Sequence, residues 1–564
     1  MQKKKFIITL FFAVLSIFMI TACSDSSNEN NSGVNNGGGG TVQPEPDNLT
    51  VKKFYSFLTW KDISNDLYSQ YAILHDGSLY AWGSNNRGQL GLGITDENVD
   101  QKNKQKVIIP GKVIQLIFQL AFFNDSATSF LNTTYSFYAI TDNGELYVWG
   151  YNGYGVLGVG DTVDRNTPTK VNLPSKIKEL ITGSSTYAIL EDGSLYAWGR
   201  NNYGQLGVGD EVDRNIPTKV NLSGKIKKYT NDAWSYYAVL EDGSLYAWGD
   251  NADGRLGVGD EVNRNTPTKV NLSGKIKELS FDTSSIYAIL EDGSLYAWGY
   301  NNHGRLGVGD EMDRNTPTKV NLSGKVKKLI TGSSIYAILE DDSLYVWGDN
   351  YYGKLGVGDE VDRNIPTKVN LPGKVKELIT GLSVYAILED DSLYAWGDNS
   401  GGQLGVGDEI NRNTPTKVNL PGKIKELIKY STSIYTILED GSLYVWGKNE
   451  SSQLGVGDKV DRNTPIKVNL SGTIKELIIN ISSIYTILAD GSLYAWGKNY
   501  NGTLGVANNE ESISIPTLVT GITGTIKKVL YGSGQRYFLT EDGLLYGTGS
   551  NYSNYPVKIE FKDK

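Results

Sequence analysis

The sequence predicts an all-β protein, a β-propeller built from ten four-stranded repeats with a single ring as the favoured arrangement, and three observations carry that prediction. One phrase, YAILEDGSLYAWG at 187–199, recurs ten times in near copies. Its tryptophan returns as Trp82, Trp149, Trp198, Trp248, Trp298, Trp347, Trp396, Trp446 and Trp496, with Thr548 in the tenth place, and from Trp149 to Trp496 the spacing is always 49 or 50 residues. Each unit also holds four short apolar or β-branched runs separated by Gly, Asp, Asn and Pro, the pattern of four antiparallel strands. A period near 50 with four strands is that of a propeller blade.

The chain begins with Lys3, Lys4 and Lys5 before an apolar stretch from Phe6 to Ile20. That stretch is short for a membrane span and right for a secretory leader. It ends in Ile20-Thr21-Ala22-Cys23, which resembles a bacterial lipobox, so residues 1–22 are expected to be a lipoprotein signal peptide and Cys23 the acylated first residue. Cys23 is the single cysteine of 564 residues, which excludes disulfides and thiolate metal sites. Residues 24–49 are Ser, Asn, Gly, Asp and Pro with almost no apolar content, a composition that cannot bury enough surface to fold. As a flexible coil this tether holds the next domain on the order of 25–30 Å from its anchor. Residues 50–564 are the repeats. The expected location is therefore the outer face of a membrane of a bacterial envelope, reached by secretion and held by lipid.

Within a unit the order is GKIKEL, YAILEDG, SLYAWG, NxxGQLGVGDEVDRN and TPTKVNL. YAIL and LYAW carry bulk at successive positions, which in a strand point to opposite faces. Both faces are thus buried, with Trp198 and Tyr196 toward one neighbouring blade and Leu195 and Ala197 toward the other. Asp-Gly between the second and third strands is tight-hairpin chemistry; Asp342 and Asp391 replace that glycine in two copies, a slightly strained choice. The second unit carries about fifteen extra residues between Ile117 and Tyr138, including Phe118, Phe122, Phe123, Phe130 and Tyr135. This 118–135 insertion is expected to be a lid, a contact arm or a plug for the axial channel.

The run GQLGVGDEVDRNIPTKV at 204–220, followed by a DGSLYAWG phrase, resembles the repeats of the regulator of chromosome condensation family, whose members are β-propellers. The resemblance covers about nine tenths of the chain. It implies the fold more firmly than a function, since the best-known eukaryotic members are exchange factors for a small nuclear GTPase and others are plain binding propellers, including a secreted bacterial inhibitor of β-lactamases. Two departures stand out. Ser185, Ser235, Ser285 and Ser334 occupy a position usually held by His, and ten repeats exceed the seven blades that the resemblance implies. The second leaves open a single ten-bladed ring, a smaller ring with extra repeats, or an open spiral.

A net charge of −9 argues against a phosphate-backbone partner, and the lysines are spread evenly through the units, as on a solvated face. Nucleic acid is therefore not an expected partner. With His75 and His303 the only histidines, and His75 in a turn, no Ser-His-Asp arrangement is expected. No catalytic residue is assigned. Carboxylates are plentiful, so a carboxylate-dependent glycosidase stays open as an alternative, although most of them repeat in every unit as structural residues do. Asp210, Asp213 and Asn215 offer oxygens at short spacing, yet the spacing fits neither an EF-hand nor the nonapeptide calcium repeat. They read as turn residues serving backbone donors, and neither metal nor cofactor is expected.

What differs between copies is more informative. The fixed positions are the strands, the EDGS turn and the NLxGK connection; the variable ones are the pair inside NxxG, the residue after WG and the segment before YAIL. With strands alternating up and down, all the variable positions emerge on one face. They include Tyr151, Tyr154, Tyr203, Trp234, Tyr300, His303, Tyr351, Tyr352 and Tyr500, interleaved with small polar residues such as Asn202, Asp250, Asp253 and Ser400. Rigid amphipathic aromatics among adaptable polar residues have the composition of a paratope; drift in exposed loops is the bland alternative. The expected function is that of a lipid-anchored scaffold binding a protein partner through this face. A glycan partner or carbohydrate-active propeller is the alternative, and nucleotide exchange a distant third resting on the resemblance alone.

Overall fold

The computed structural model describes residues 51–560 apart from 59–67, 86–87, 95–103, 122–133 and the single residues 233, 283, 481, 533 and 551. The expected leader, Cys23, the tether, and Phe122, Phe123 and Phe130 of the insertion lie outside the described residues.

Forty strands form ten sheets of four, and each sheet is made of four strands consecutive in sequence. Blade five shows the plan: Ile276–Asp282, Ser285–Leu290, Leu295–Gly299 and Arg314–Lys319, each antiparallel to the next. Its second strand is buried at all six positions, so both sheet faces are covered, as the doubled bulk of YAIL predicts. The hairpin between the second and third strands closes with Asp292 accepting from the backbone N–H of Ser294 at 2.9 Å and from its hydroxyl at 2.6 Å. Gly293 sits at φ 83° in that turn. Asp342 and Asp391, at φ 64°, hold the same corner in blades six and seven; each carboxylate is met by two lysines, Lys327 and Lys374 in one case and Lys376 and Lys423 in the other.

The apolar core lies between the blades. Ten clusters of buried residues occupy ten junctions, each drawing on two neighbouring sheets. At the junction of blades two and three, Trp198 and Tyr196 pack against Tyr138, Ile140 and Leu146, while Leu195 and Ala197 turn to the next blade and its Trp248. Every tryptophan from Trp149 to Trp496 in the repeat series is fully buried. Its indole N–H also reaches back one blade: Trp298 donates to the carbonyl of Arg255 at 2.9 Å, and the Tyr237 hydroxyl of that same earlier blade donates to the same oxygen at 2.7 Å. Two blades therefore share one acceptor. The arrangement recurs at Gln205, Arg305 and Lys354. The first glycine of LGVG makes room for the ring, since a Cβ on Gly257 would lie 2.6 Å from the Trp298 indole nitrogen.

The tenth cluster closes the ring. Val51, Phe54, Ala72 and Trp82 of the first blade pack with Tyr537, Leu539, Leu545 and Ile559 of the last. The Val51 N–H bonds the Gly543 carbonyl at 2.9 Å, and the Gln70 side chain reaches Gln535 at 3.1 Å. Of the three arrangements left open by the repeat count, the chain adopts the single closed ring of ten blades. In the last blade Thr548 stands where the others have Trp, and Phe538 stands where most have the Ala of YAIL. Phe538 joins the core facing blade nine, beside Tyr485 and Ala495. A Cβ on Gly505 would meet Thr548 at 3.1 Å and the Phe538 ring at 3.6 Å, the place where equivalent glycines meet an indole. The volume lost at one position is regained at its neighbour on the same sheet face. No helix among the described residues is long and apolar enough to cross a membrane.

Candidate binding face

The loops of the variable face stand on a fixed frame built, among the described residues, from one buried asparagine in each of the first nine blades. Asn301, fully buried, donates to the carbonyls of Asp310 and Met312 at 3.0 and 2.9 Å and accepts the Leu306 N–H at 2.8 Å. A buried amide with its donors and acceptor satisfied is rigid. The acids of GDEVDRN serve the same frame. Asp210 pairs with Arg214 and caps the Val212 N–H, Asp213 accepts the Asn201 N–H at 2.7 Å, and Asn215 donates to Gly160 of the preceding blade at 2.9 Å. Hydrogen bonding from Arg214 holds the Asp210 carboxyl below the usual range. These are turn residues engaged by backbone and guanidinium, as the sequence suggests.

The serines that replace the family's histidine have a local role. Ser185 Oγ donates to the Arg200 carbonyl at 2.6 Å, and Ser235, Ser285 and Ser334 repeat the bond in their blades. This ties the residue after WG, one of the variable positions, to the second strand.

On this frame several predicted residues come together. Tyr154 of blade two, Tyr203 of blade three and Trp234 at the entry to the second strand of blade four surround Arg200. The Arg200 guanidinium lies 5.2 Å from the centre of the Tyr154 ring and 5.5 Å from that of Trp234, and the Tyr203 and Trp234 rings are 5.8 Å apart. A second group spans blades five and six. Tyr300 lies under Arg305 at 5.4 Å, His303 Nδ1 meets Asp362 Oδ2 at 2.5 Å, and the rings of Tyr351 and Tyr352 are 4.0 Å apart. Ligand atoms of His303, Asp349 and Asp362 lie within 4.8 Å of one another. Asp362 also accepts the Asn350 N–H, and Asp349 is held by the Lys354 ammonium at 2.6 Å, so these acids are engaged within the loop. Tyr151 is half-buried in blade two, and Tyr500, 60% exposed in blade nine, joins neither group. Tyr203 and Tyr351 are 38% and 59% exposed, unlike the buried tyrosines of the second strands.

Three of the predicted residues hold backbone that bulky L-residues avoid. Tyr154, His303 and Tyr352 have φ of 60°, 59° and 64°. Such conformations concentrate where surrounding structure over-determines them, often at functional sites.

Sequence reasoning missed the charges beneath the loops. Arg305 pairs with Asp282 at 2.9 Å with both side chains nearly buried, and Arg255 bonds Ser284 at 2.6 Å. Burial pushes the Asp232 carboxyl up to about 6, with Arg255 pulling against it and Asp282 and Asp250 adding to it. Burial lowers Lys429 to about 8, and its ammonium donates to the Ser383 carbonyl of the neighbouring blade at 2.6 Å. The signal for Arg255 and Arg305 was the variable residue after NxxG, which is Gln, Val, Arg, Lys or Thr from copy to copy, and that for Asp232, Asp282 and Lys429 was the variable segment before YAIL.

One polar cleft between the loops of blades eight and nine bears on the hydrolase alternative. It is lined by Ser452, Gly457, Asp458, Lys459, Glu510, Glu511, Ser512 and Ser514. Glu510 and Glu511 are exposed neighbours in sequence, and Asp458 is held by Arg462 and the Val460 N–H, as in other copies. The acid on the other wall thus belongs to the loop frame.

Comparisons with known proteins agree with the repeat reading. The RCC1-like domain matches residues 221–483, and the regulator of chromosome condensation (RCC1) repeat matches 76–117, 143–190, 192–230 and 490–537. The chain is 34% identical over 100 residues to the ultraviolet-B receptor UVR8 of Arabidopsis thaliana, covering 18% of this chain and 19% of the receptor. It is 29% identical over 151 residues to Ras guanine nucleotide exchange factor C of Dictyostelium discoideum, covering 22% of this chain and 10% of that protein. The matches thus span about a fifth or less of these curated relatives. The solved structure of Prp20p from Saccharomyces cerevisiae, described with its binding to Gsp1p and histones, aligns at TM-score 0.36 and 21% identity over 65% of this chain and 92% of that one. With its repeats matched from residue 76 to residue 537 and folded as ten blades of one plan, the chain belongs to the regulator of chromosome condensation repeat family.

Proposed function

We propose that this propeller is a binding scaffold that engages a protein partner through its variable, aromatic-rich face, held at a bacterial envelope by a lipid on Cys23. One observation carries the reading of the face: aromatics that differ from copy to copy gather across blades on a rigid frame that other copies build without them. Asn251, Ser400 and Glu450 occupy or adjoin the same loops in other units, so the tyrosines are not needed for the fold. Retaining Tyr and His at left-handed backbone positions where Gly is favoured also calls for a gain elsewhere. A relative with matching repeats is named as a Ras guanine nucleotide exchange factor, which agrees with a protein-binding role for the shared repeat. A glycan partner remains the second reading, since exposed tyrosines stack on sugars as readily as on peptide.

The test replaces Tyr203, Tyr300, Tyr351 and Tyr352 with Ala and, as a control, Glu191, Glu241, Glu291 and Glu340 in the EDGS turns of the opposite face. Both variants should melt as the wild type does. Proteins retained from intact envelopes by the wild type should be lost from the tyrosine variant alone, because a few clustered aromatics dominate such interfaces. Equal retention by both variants would falsify the reading.

A further inference from the structure

We propose that Arg200 and the rings around it form a carboxylate-recognition site, in which the guanidinium edge takes a carboxylate of the protein partner. This rests on the reading of the variable face as protein-binding and names the chemistry of one contact.

Arg200 is held at every level except its outer edge. Its backbone N–H bonds the Ser184 carbonyl at 3.2 Å, and its carbonyl accepts the Ser185 hydroxyl at 2.6 Å. Its Nε donates to Asn202 Oδ1 at 3.0 Å, which fixes the rotation of the planar group. Tyr154 and Trp234 come from the blades on either side, with ring centres 5.2 and 5.5 Å from the guanidinium carbon, and Tyr203 packs on Trp234. The two terminal nitrogens have no hydrogen-bond acceptor and no acidic partner among the described residues, and Arg200 is only half-buried.

Most cations on this face are neutralised by an acid; Lys498, at the position of Arg200 in blade nine, is exposed and lies over no ring among the described residues. Arg255 is paired with Asp250 and Asp253, Arg305 with Asp282, Lys354 with Asp349, and Lys448 with Asp461. The residue after WG is an acid in three other copies, Asp250, Asp349 and Asp398, and Arg in this one alone. A guanidinium held in place without a counter-ion has already lost its rotamer freedom, so little more is lost when it binds. Rings on either side shed water and strengthen a charge-assisted hydrogen bond. They also leave the plane of the fork as the open line of approach. A planar carboxylate matches that edge with two parallel N–H···O bonds; a pair of phosphate oxygens can make the same bonds, and the carboxylate is favoured because the partner of this face is read as a protein. The carboxylate is supplied by a Glu or Asp side chain or by a chain end.

The experiment uses the full-length protein and three fluorescein-labelled peptides on one Tyr/Leu/Ser background: one with two internal Glu and an amidated end, one with Gln at those positions and a free C-terminal carboxylate, and one with Gln and an amidated end. Anisotropy titrations should show at least one carboxylate peptide binding about tenfold or more tightly than the neutral amide, and which one does so identifies the source. Arg200→Lys keeps the charge and loses the fork, and should erase most of that advantage; Trp234→Leu should reduce it while leaving the melting profile unchanged. Equal binding of all three peptides, no measurable binding of any, or an Arg200→Lys variant that behaves as wild type overturns the proposal. So does competition by inorganic phosphate as effective as that by acetate, which would indicate a general anion hook. If Arg200→Lys leaves both peptide and envelope capture intact while the four-tyrosine variant loses capture, the face stands and this contact falls. If Arg200→Lys loses the carboxylate preference while the four-tyrosine variant keeps capture, this contact stands and the aromatic face falls.

Discussion

Trp298 donates its indole hydrogen to the carbonyl of Arg255, 2.9 Å away in the preceding blade, and the same bond fastens each of blades two to nine to the one before it inside an apolar seam. The bond and the burial are separable. Trp298→Phe keeps most of the apolar area and removes the donor, and because the Arg255 carbonyl retains the Tyr237 hydroxyl at 2.7 Å, the loss should be about 1–2 kcal/mol. Trp298→Ala adds a cavity and should cost about 3–5 kcal/mol. Urea unfolding of the two variants measures the difference; equal losses would show that the bond contributes nothing.

The exchange of bulk in the last blade makes a second prediction. Phe538→Ala should destabilise by about 3–5 kcal/mol, and Thr548→Trp by about 1–3 kcal/mol through overcrowding against the Phe538 ring. The double variant restores the pair found in the other blades and should be more stable than either single one, since residues in contact are not additive. Hydrogen exchange should then show the last blade protected as well as its neighbours in the wild type. Strict additivity in a double-mutant cycle would mean the two positions do not share one space.

The hairpin aspartates give a prediction in which salt decides. Asp391 holds a left-handed corner where other copies have Gly, and is compensated by Lys376 and Lys423. Asp391→Gly relieves backbone strain and gives up two surface ion pairs, so at low salt the melting temperature should change little. At about 1 M salt, where screening acts within about 3 Å, the ion pairs fade and the variant should melt higher than the wild type. A variant that is less stable at both salt concentrations contradicts this account.

Asp232 introduces a pH dependence. Its carboxyl is pushed up to about 6 by burial, against an ordinary value near 3.8, and it faces Arg255 as well as Asp282 and Asp250. The folded state therefore holds this proton more tightly than the unfolded chain does. The resulting stability is complete below about pH 4 and is lost as pH rises through about 6. Asp232→Asn removes the titration while Arg255 keeps Asp250 and Asp253. The variant should match the wild type near pH 4 and exceed it at pH 7, by at most about 3 kcal/mol. A stability gap that does not change with pH between those values rules the mechanism out.

The anchor is tested apart from the fold. Cells given a fatty-acid analogue should label the wild type and leave Cys23→Ser unlabelled, because no other cysteine exists to carry a thioether lipid. Equal labelling of both proteins, or of neither, would remove the lipid from the proposal.

The sequence by itself determined the blade. Its period, its four apolar runs and the doubled bulk of YAIL and LYAW settled strand order and the burial of both sheet faces, because hydrogen-bond ladders and alternating side chains are encoded within about 50 residues. It also located the variable face, since Tyr203, Tyr300 and Tyr352 differ from copy to copy at loop positions that topology places together. Which side chains face a neighbouring blade was legible, whereas the meeting of the first and last units was not. Whether ten blades close into a ring depends on a small rotation between sheets that no local pattern records, and the decision falls to Phe54 and Trp82 meeting Tyr537 and Leu539 across nearly the whole length of the chain. The exchange of bulk between Thr548 and Phe538 reads as two unrelated oddities until both are seen to face one seam. Arg200 likewise reads as one more surface cation. Only the stacking of blades two, three and four brings Tyr154 and Trp234 to its sides, because residues some 35 to 80 positions apart in sequence become neighbours through the packing of sheets and not through the pattern within any one of them.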